Sequence, residues 1–290
     1  MRLSKLIPLT WLLGAASSFA AEGEHHALPL NAQHQFGGWV SNSTLMVWIA
    51  VGVIVLFCQI ATRKVSLIPS GFQNFAEWLI ESLYDFLGGL LGEHLVKRTF
   101  WFLGSIFFFI LVTNWLGLIP GVGTVGMKDS HGHLVPFLRG GNADLNMTSA
   151  MALTFALLWF YWALTENGAK GFFAHIFAPK GDFKGIMMLL MIPIFFLVGL
   201  LEIVSIAVRP VALSFRLFGN IYGGEQTLEA LMALIPTKLQ PFLSWAPALP
   251  FYFMELLVGA VQALVFTLLC AIFIKLICDH GDEHHAEDHH

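Results

Sequence analysis

Residues 186–235 read IMMLLMIPIFFLVGLLEIVSIAVRPVALSFRLFGNIYGGEQTLEALMALI. The stretch is apolar from end to end, yet five ionisable side chains are set into it: Glu202, Arg209, Arg216, Glu225 and Glu229. As one helix rising about 1.5 Å per residue it would be roughly 75 Å long, more than twice the hydrocarbon core of a bilayer. It must therefore lie steeply tilted, bend, or break, with Pro193 and Pro210 as candidate break points.

The rest of the chain agrees with a membrane setting. Hydrophobic residues make up 57% and charged residues 12%, where a soluble domain carries about a quarter charged. The mean hydropathy is +0.72. Disorder and an ordinary soluble enzyme are both poor readings, which leaves a polytopic all-α membrane protein. The net charge is −4 and no basic block stands out, so nucleic acid is not an expected partner. Cys58, Cys270 and Cys278 lie in or beside apolar stretches without CxxC spacing. They read as small buried apolar residues rather than disulfides or metal ligands.

Scanning for about 20 apolar residues gives spans at 43–62, 99–119 and 148–165, none with an Asp, Glu, Lys or Arg, and a longer one at 248–277. With the opening stretch, five spans are expected. Ahead of them, Arg2 and Lys5 precede an apolar run to Ala16, and Ser18-Phe19-Ala20 follows. Residues 1–20 thus read as a cleaved signal peptide, the alternative being a short uncleaved anchor. The segment 21–42 then lies outside, the membrane domain covers 43–278, and 279–290 form a tail. Arg63, Lys64, Lys97, Arg98, Lys170, Lys180 and Lys184 fall on one side and only Lys128, Arg139 and Lys238 on the other. The positive-inside rule makes the first side, and the C-terminus with it, cytoplasmic. The tail is rich in His and acids but lacks ligand spacing, and reads as a solvated segment rather than a metal site.

Between the first two spans, Pro69-Ser70-Gly71 opens a stretch in which Phe72, Phe75, Trp78, Leu79, Leu83 and Phe86 recur every three or four residues. Glu77, Glu81 and Asp85 form an acidic row. The pattern predicts an amphipathic helix in the interface or against a partner.

Charge is confined to the last two spans. A charged side chain at the bilayer centre costs at least about 2.5–3.5 kcal/mol, so its presence needs a reason. Glu202, Arg209 and Arg216 are spaced seven apart and share one helical face, which Asn220 continues; Glu225 lies about half a revolution round from Arg216. In the last span Glu255 and Gln262 share a face, and Lys275 lies near its inner end. Antiparallel helices bring Glu225 and Glu255 to one depth and Arg216 and Gln262 to another. Glu202 and Arg209 read either as a buried ion bridge or as channel lining. Arg216 has Ala212, Leu213 and Asn220 about one turn away and no acid there, so it calls for a carboxylate from another chain or a hydrated cavity. An ion pathway is the expected function.

The run Arg216-Leu217-Phe218-Gly219-Asn220-Ile221-Tyr222-Gly223-Gly224-Glu225 closely resembles the signature of subunit a of F-type ATP synthases. Pro210 six residues before the arginine, Gln262-Ala263-Leu264-Val265-Phe266 in the last span and Ala143-Asp144-Leu145-Asn146-Met147-Thr148 ahead of the third are also similar to elements of that family. The resemblance covers about residues 40–277. It implies five membrane helices, the last two long and tilted against a ring of c subunits, in a bacterial inner membrane. The implied partners are the c-ring, the b-subunit stator stalk, lipid and, indirectly, the F1 sector. It implies no cofactor and no catalytic residue, ATP chemistry lying on other subunits. Two offset half-channels would carry protons or Na+ to and from ring carboxylates. Arg216 matches the arginine between them; Glu225, Glu255, Asn220 and Gln262 match the outer half-channel or the arginine's surroundings. Glu202 matches an acid on the cytoplasmic side, with Ser205 and Ser214 as polar lining of the exit. Some members carry an acid in the turn after the second span, where this chain reads Leu116-Gly117-Leu118-Ile119-Pro120-Gly121. Asp144, His131 and His133 are the remaining candidates for the outer mouth and read as loop residues. Rival readings are an ion-coupled secondary antiporter, against which the charged helix has no internal repeat, and a non-transporting membrane subunit of a respiratory complex.

Overall fold

The computed structural model describes residues 34–35, 40–63, 65–123, 126–128, 134–177, 186–233 and 245–278. The expected signal peptide, the His-rich tail, His131 and His133 lie outside the described residues. Six helices carry the architecture: α1 Asn42–Ala61, α2 Phe72–Leu91, α3 Glu93–Gly117, α4 Leu145–Phe177, α5 Ile186–Ala233 and α6 Trp245–Cys278. Two small antiparallel hairpins pair His34–Gln35 with Val40–Ser41 and Gly126–Lys128 with Leu134–Pro136. A 3-10 turn at Gly141–Ala143 leads into α4.

Five helical segments are long and apolar enough to cross a membrane: Asn42–Ala61, Glu93–Gly117, Leu145–Gly168, Pro193–Met232 and Ala246–Cys278. They coincide with the five spans read from the sequence. The chain is therefore an all-α membrane protein. The long stretch does not break. α5 is one helix of 48 residues running through both Pro193 and Pro210, so tilt or bending has to accommodate its length. The break falls instead in α4, at Gly168, whose φ of 67° and ψ of 163° interrupt the helix.

α2 is the expected amphipathic helix, but its inward face differs from the aromatic stripe. Gln73, Ala76, Leu83, Leu87 and Leu91 are buried, while Phe72, Phe75, Trp78 and Phe86 stay largely exposed. Leu83 alone belongs to both sets. The smaller aliphatic residues allow α2 to close on α3, and the aromatic stripe is left on the outside, where bulky rings suit an interface. The cysteine reading also needs correction: Cys270 is fully buried and Cys278 half-buried, but Cys58 is exposed on α1.

α6 is fastened along its length. Outside helix interiors a membrane offers its polar groups few partners, so side chain to backbone hydrogen bonds act as fixing points. Asn114 Nδ2 donates to the Gly259 carbonyl at 3.0 Å and Trp115 Nε1 to that of Leu256 at 3.1 Å. At the other end Trp159 Nε1 reaches the Phe273 carbonyl at 2.8 Å and Asn167 Nδ2 that of Ile277 at 2.6 Å. Lys275 Nζ donates to the Leu90 carbonyl of α2 at 2.9 Å. Between these ends Ala263, Phe266, Cys270 and Ile274 are completely buried. α5 is the opposite case: most of its described side chains are exposed or half-buried. It touches the bundle through a stripe of Leu213, Leu217, Ile221 and Leu228 and turns Phe196, Leu200, Val204, Val211 and Phe215 outward.

The joint between α2 and α3 depends on Gly92, which serves both helices as cap with φ 81° and ψ 163°. Only glycine adopts this region without strain, which costs other residues about 1–3 kcal/mol. Gly92→Ala should lower stability by about that amount in denaturant unfolding of the detergent-solubilised protein. Gly89→Ala, inside α2 with nothing within 4 Å of the new methyl, should be neutral or stabilising by up to about 1 kcal/mol. Equal effects of the two would show that the joint does not depend on the glycine torsion.

Candidate functional site

The ionisable residues of α5 and α6 fall into two groups. Arg216 and Asn220 are exposed, on a flank of α5 beside the bundle stripe, where Asn220 still reaches α6. Leu213 and Leu217 pack inward beside Arg216 and Phe215 points outward, so the guanidinium sits on an otherwise apolar surface. Among the described residues Arg216 forms no ion pair. Glu225, nine residues on, faces the interior side, as the half-turn offset requires.

Glu255 and Gln262 do share a face, and both are buried, at 5% and 4% exposure. Gln262 Oε1 accepts a 2.6 Å hydrogen bond from Asn220 Nδ2, which ties α6 to α5 one turn past Arg216. The carboxylate of Glu255 lies against the backbone of Gly224, where a Cβ would collide with it. Gly224 thus allows α5 and α6 to approach closely and brings Glu255 beside Glu225. The Glu255 Oε1 atom has no hydrogen-bond partner among the described residues.

The sequence reading missed the residue that completes this cluster. Arg139, counted there only as an external loop charge, is 1% exposed and among the largest fully buried side chains. Its Nε lies 4.0 Å from Glu225 Oε2, and its guanidinium stands over the Tyr222 ring at 5.9 Å. Gly140, next in the chain, faces Glu225 Oε1, which an added Cβ would meet at 2.6 Å. No periodic signal marks a loop arginine of this kind. The available hint was Arg139-Gly140-Gly141, a cation followed by two residues that permit close backbone approach.

Other candidates take structural positions. Asp144 accepts from Ser43 Oγ at 2.7 Å and from the Asn146 backbone N–H at 3.0 Å. It caps α4 and ties that helix to the start of α1. Ser214 is buried and shares hydrogen bonds with Thr148 and Ser149 of α4, at 3.2 and 3.0 Å, so it faces α4 rather than the exposed side carrying Arg216. Ser205 is exposed and Glu202 half-buried. Arg209, for which Glu202 was a candidate partner, lays its guanidinium over the Phe273 ring at 4.8 Å. That cation–π contact with α6 gives the charge an apolar seat at membrane depth.

Comparison with known proteins gives these positions a context. The family described as ATP synthase A chain matches residues 44–275, from within α1 to within α6. The ATP synthase subunit a of Solidesulfovibrio magneticus is 32% identical over 242 residues, which cover 83% of this chain and 86% of that relative. The family match takes in the arginine of α5, the paired acids and all or most of each of the five spans. The chain belongs to the ATP synthase A chain family, the non-catalytic proton-channel subunit a of the membrane-embedded Fo sector.

Proposed function

We propose that this chain is the stator channel of a bacterial inner-membrane F-type ATP synthase, with two offset half-channels that pass protons, or Na+, to and from carboxylates on a c-ring. The mature N-terminus lies outside and the C-terminus in the cytoplasm. The b-subunit stalk holds it against the ring, and F1 performs the ATP chemistry. The observation that carries this reading is the separation of charges on α5. Arg216, a permanent cation with no ion pair among the described residues, lies on an exposed flank of α5, while Glu225 of α5 and Glu255 of α6 lie together on the opposite, packed side.

The physics suits the roles. A guanidinium does not lose its proton in a protein, so Arg216 attracts an ionised ring carboxylate and keeps ions from passing directly between half-channels. At 4 Å that attraction is about 4 kcal/mol for an effective dielectric near 20, but about 1 kcal/mol in water. The larger value would hold the ring about a thousandfold more tightly than no contact at all. Rotation has to break the contact, so this reading calls for a hydrated contact nearer the weaker limit. Glu225 and Glu255, with Asn220 and Gln262 between them and the arginine, form the outer path. Glu202, Ser205 and Arg209 lie along α5 on the cytoplasmic side, and Ser214 supports α5 against α4 there.

Arg216→Ala should abolish ion-driven ATP synthesis in inverted vesicles while the c-ring still co-purifies. Arg216→Lys should fail largely as well, because an ammonium can deprotonate when desolvated and lacks the planar fork. Arg209→Ala should retain substantial activity, since the Arg209 guanidinium rests on the Phe273 side chain of α6. Near-normal synthesis in an assembled Arg216→Ala complex would refute the mechanism.

Replacing both Glu225 and Glu255 with Gln should slow ATP-driven proton pumping more than either single change, and an unchanged rate in the double variant would leave them only a packing role. For topology, a reporter fused after His290 should be active only as a cytoplasmic one; activity on the other side would overturn the assigned orientation.

A further inference from the structure

The loop between α3 and α4 places a buried cation beside the Glu225 carboxylate. Burying a guanidinium costs several kcal/mol unless charges and hydrogen bonds offset it, and a loop residue could stay in water at no such cost. Arg139 is nevertheless fully buried. Tyr222, three residues before Glu225, presents its ring on the same side of α5 as the acid. Phe218 stacks on that ring at 5.3 Å and holds it in place. The guanidinium above Tyr222 is thereby aimed at Glu225. The two oxygens of Glu225 face consecutive loop residues, Oε2 toward Arg139 and Oε1 toward Gly140.

The loop itself is pinned. Gly141 is wedged so that a Cβ would stand 2.7 Å from Thr113 Cγ2 and 3.1 Å from Val47 Cγ2. Asn142 Nδ2 donates to Asn114 Oδ1 at 2.6 Å, and Asn114 donates to the Gly259 carbonyl, one helical turn from Glu255. The loop that carries Arg139 is thus fixed to the same part of α6 that carries the second acid. At 4.0 Å the Arg139–Glu225 contact is a charge pair and not a hydrogen bond. It can orient and stabilise the carboxylate without tying up the oxygen a proton would use.

We propose that Arg139 is a positioning residue for ion uptake: it holds the Glu225 carboxylate toward Glu255 and sets the proton concentration at which Glu225 is loaded. This rests on the outer-path role of Glu225 given above. Among the described residues, the charged groups facing Glu225 are Arg139 from the loop, Glu255 from α6 and Glu229 from α5 itself, and Arg139 is the cation of that set. Its removal leaves acids facing Glu225, and loading should then occur at a lower proton concentration.

The test uses the assembled synthase in vesicles, with the pH on the side that supplies protons varied and c-ring co-purification as the assembly control. Arg139→Gln should lower the maximal rate of ATP synthesis and move the midpoint of its pH dependence to the alkaline side by about 1–3 units, the range expected for loss of an opposite charge this close. Arg139→Lys should restore most of that shift. The double variant Arg139→Gln/Glu225→Gln should be no slower than Glu225→Gln alone. If Arg139→Gln by itself fails to assemble, the double variant should assemble, because it removes both members of the buried pair. An unmoved midpoint, additive losses in the double variant, or failure of both to assemble would overturn the proposal and leave Arg139 a packing residue. A normal rate in Glu225→Gln alone would instead overturn the role of Glu225.

Discussion

The cost of placing charge in hydrocarbon organises this protein. Spans α1, α3 and α4 carry no ionisable residue deep in the membrane, and those near their ends lie at the rim, as with Arg98 of α3 paired to Glu166 of α4. Everything expensive is gathered on α5, α6 and the loop that reaches them. There each group has its own means of support: the Phe273 ring beneath Arg209, a cation beside Glu225, a glycine seat for Glu255, a hydrogen bond from the Asn220 amide to that of Gln262. Arg216 is the group left outside such support, and it lies on the exposed side of α5.

The two long helices are treated differently because of this. α6 is bonded to α2, α3 and α4 through five carbonyl or ammonium contacts spread over both ends, which makes it the reference frame of the bundle. α5 rests on α4 and α6 by one stripe and turns much of its remaining surface outward. A fixed helix behind an open one suits the proposed stator role, in which a charge is presented to a moving partner by a helix that does not itself move. Close approach is what joins the two, and Gly224 permits it where a side chain would displace the acid.

Small residues recur where polar groups must come close. Gly140 faces a carboxylate, Gly141 fits between α1 and α3, and the Gly259 carbonyl accepts from Asn114. Together they draw the α3–α4 loop into the end of the bundle, so that a segment without regular structure becomes part of the charged interior.

The sequence alone determined the five spans, the amphipathic α2 and the shared faces of Glu202, Arg209 and Arg216 and of Glu255 and Gln262. Span length and helical period are local properties, fixed by bilayer thickness and by 3.6 residues per turn. It also set Arg216 and Glu225 on opposite sides of α5, since nine residues make a half-turn offset. Tertiary structure decided what no period encodes. It chose the aliphatic face of α2 over its aromatic stripe, carried α5 unbroken through two prolines, and turned Ser214 toward α4. It gave Arg209 a ring as its seat. Above all it brought Arg139 from a loop into contact with Glu225, 86 positions away in the numbering. That contact depends on glycines and asparagines folding the loop inward, and on a buried carboxylate for which a guanidinium is the compensating charge.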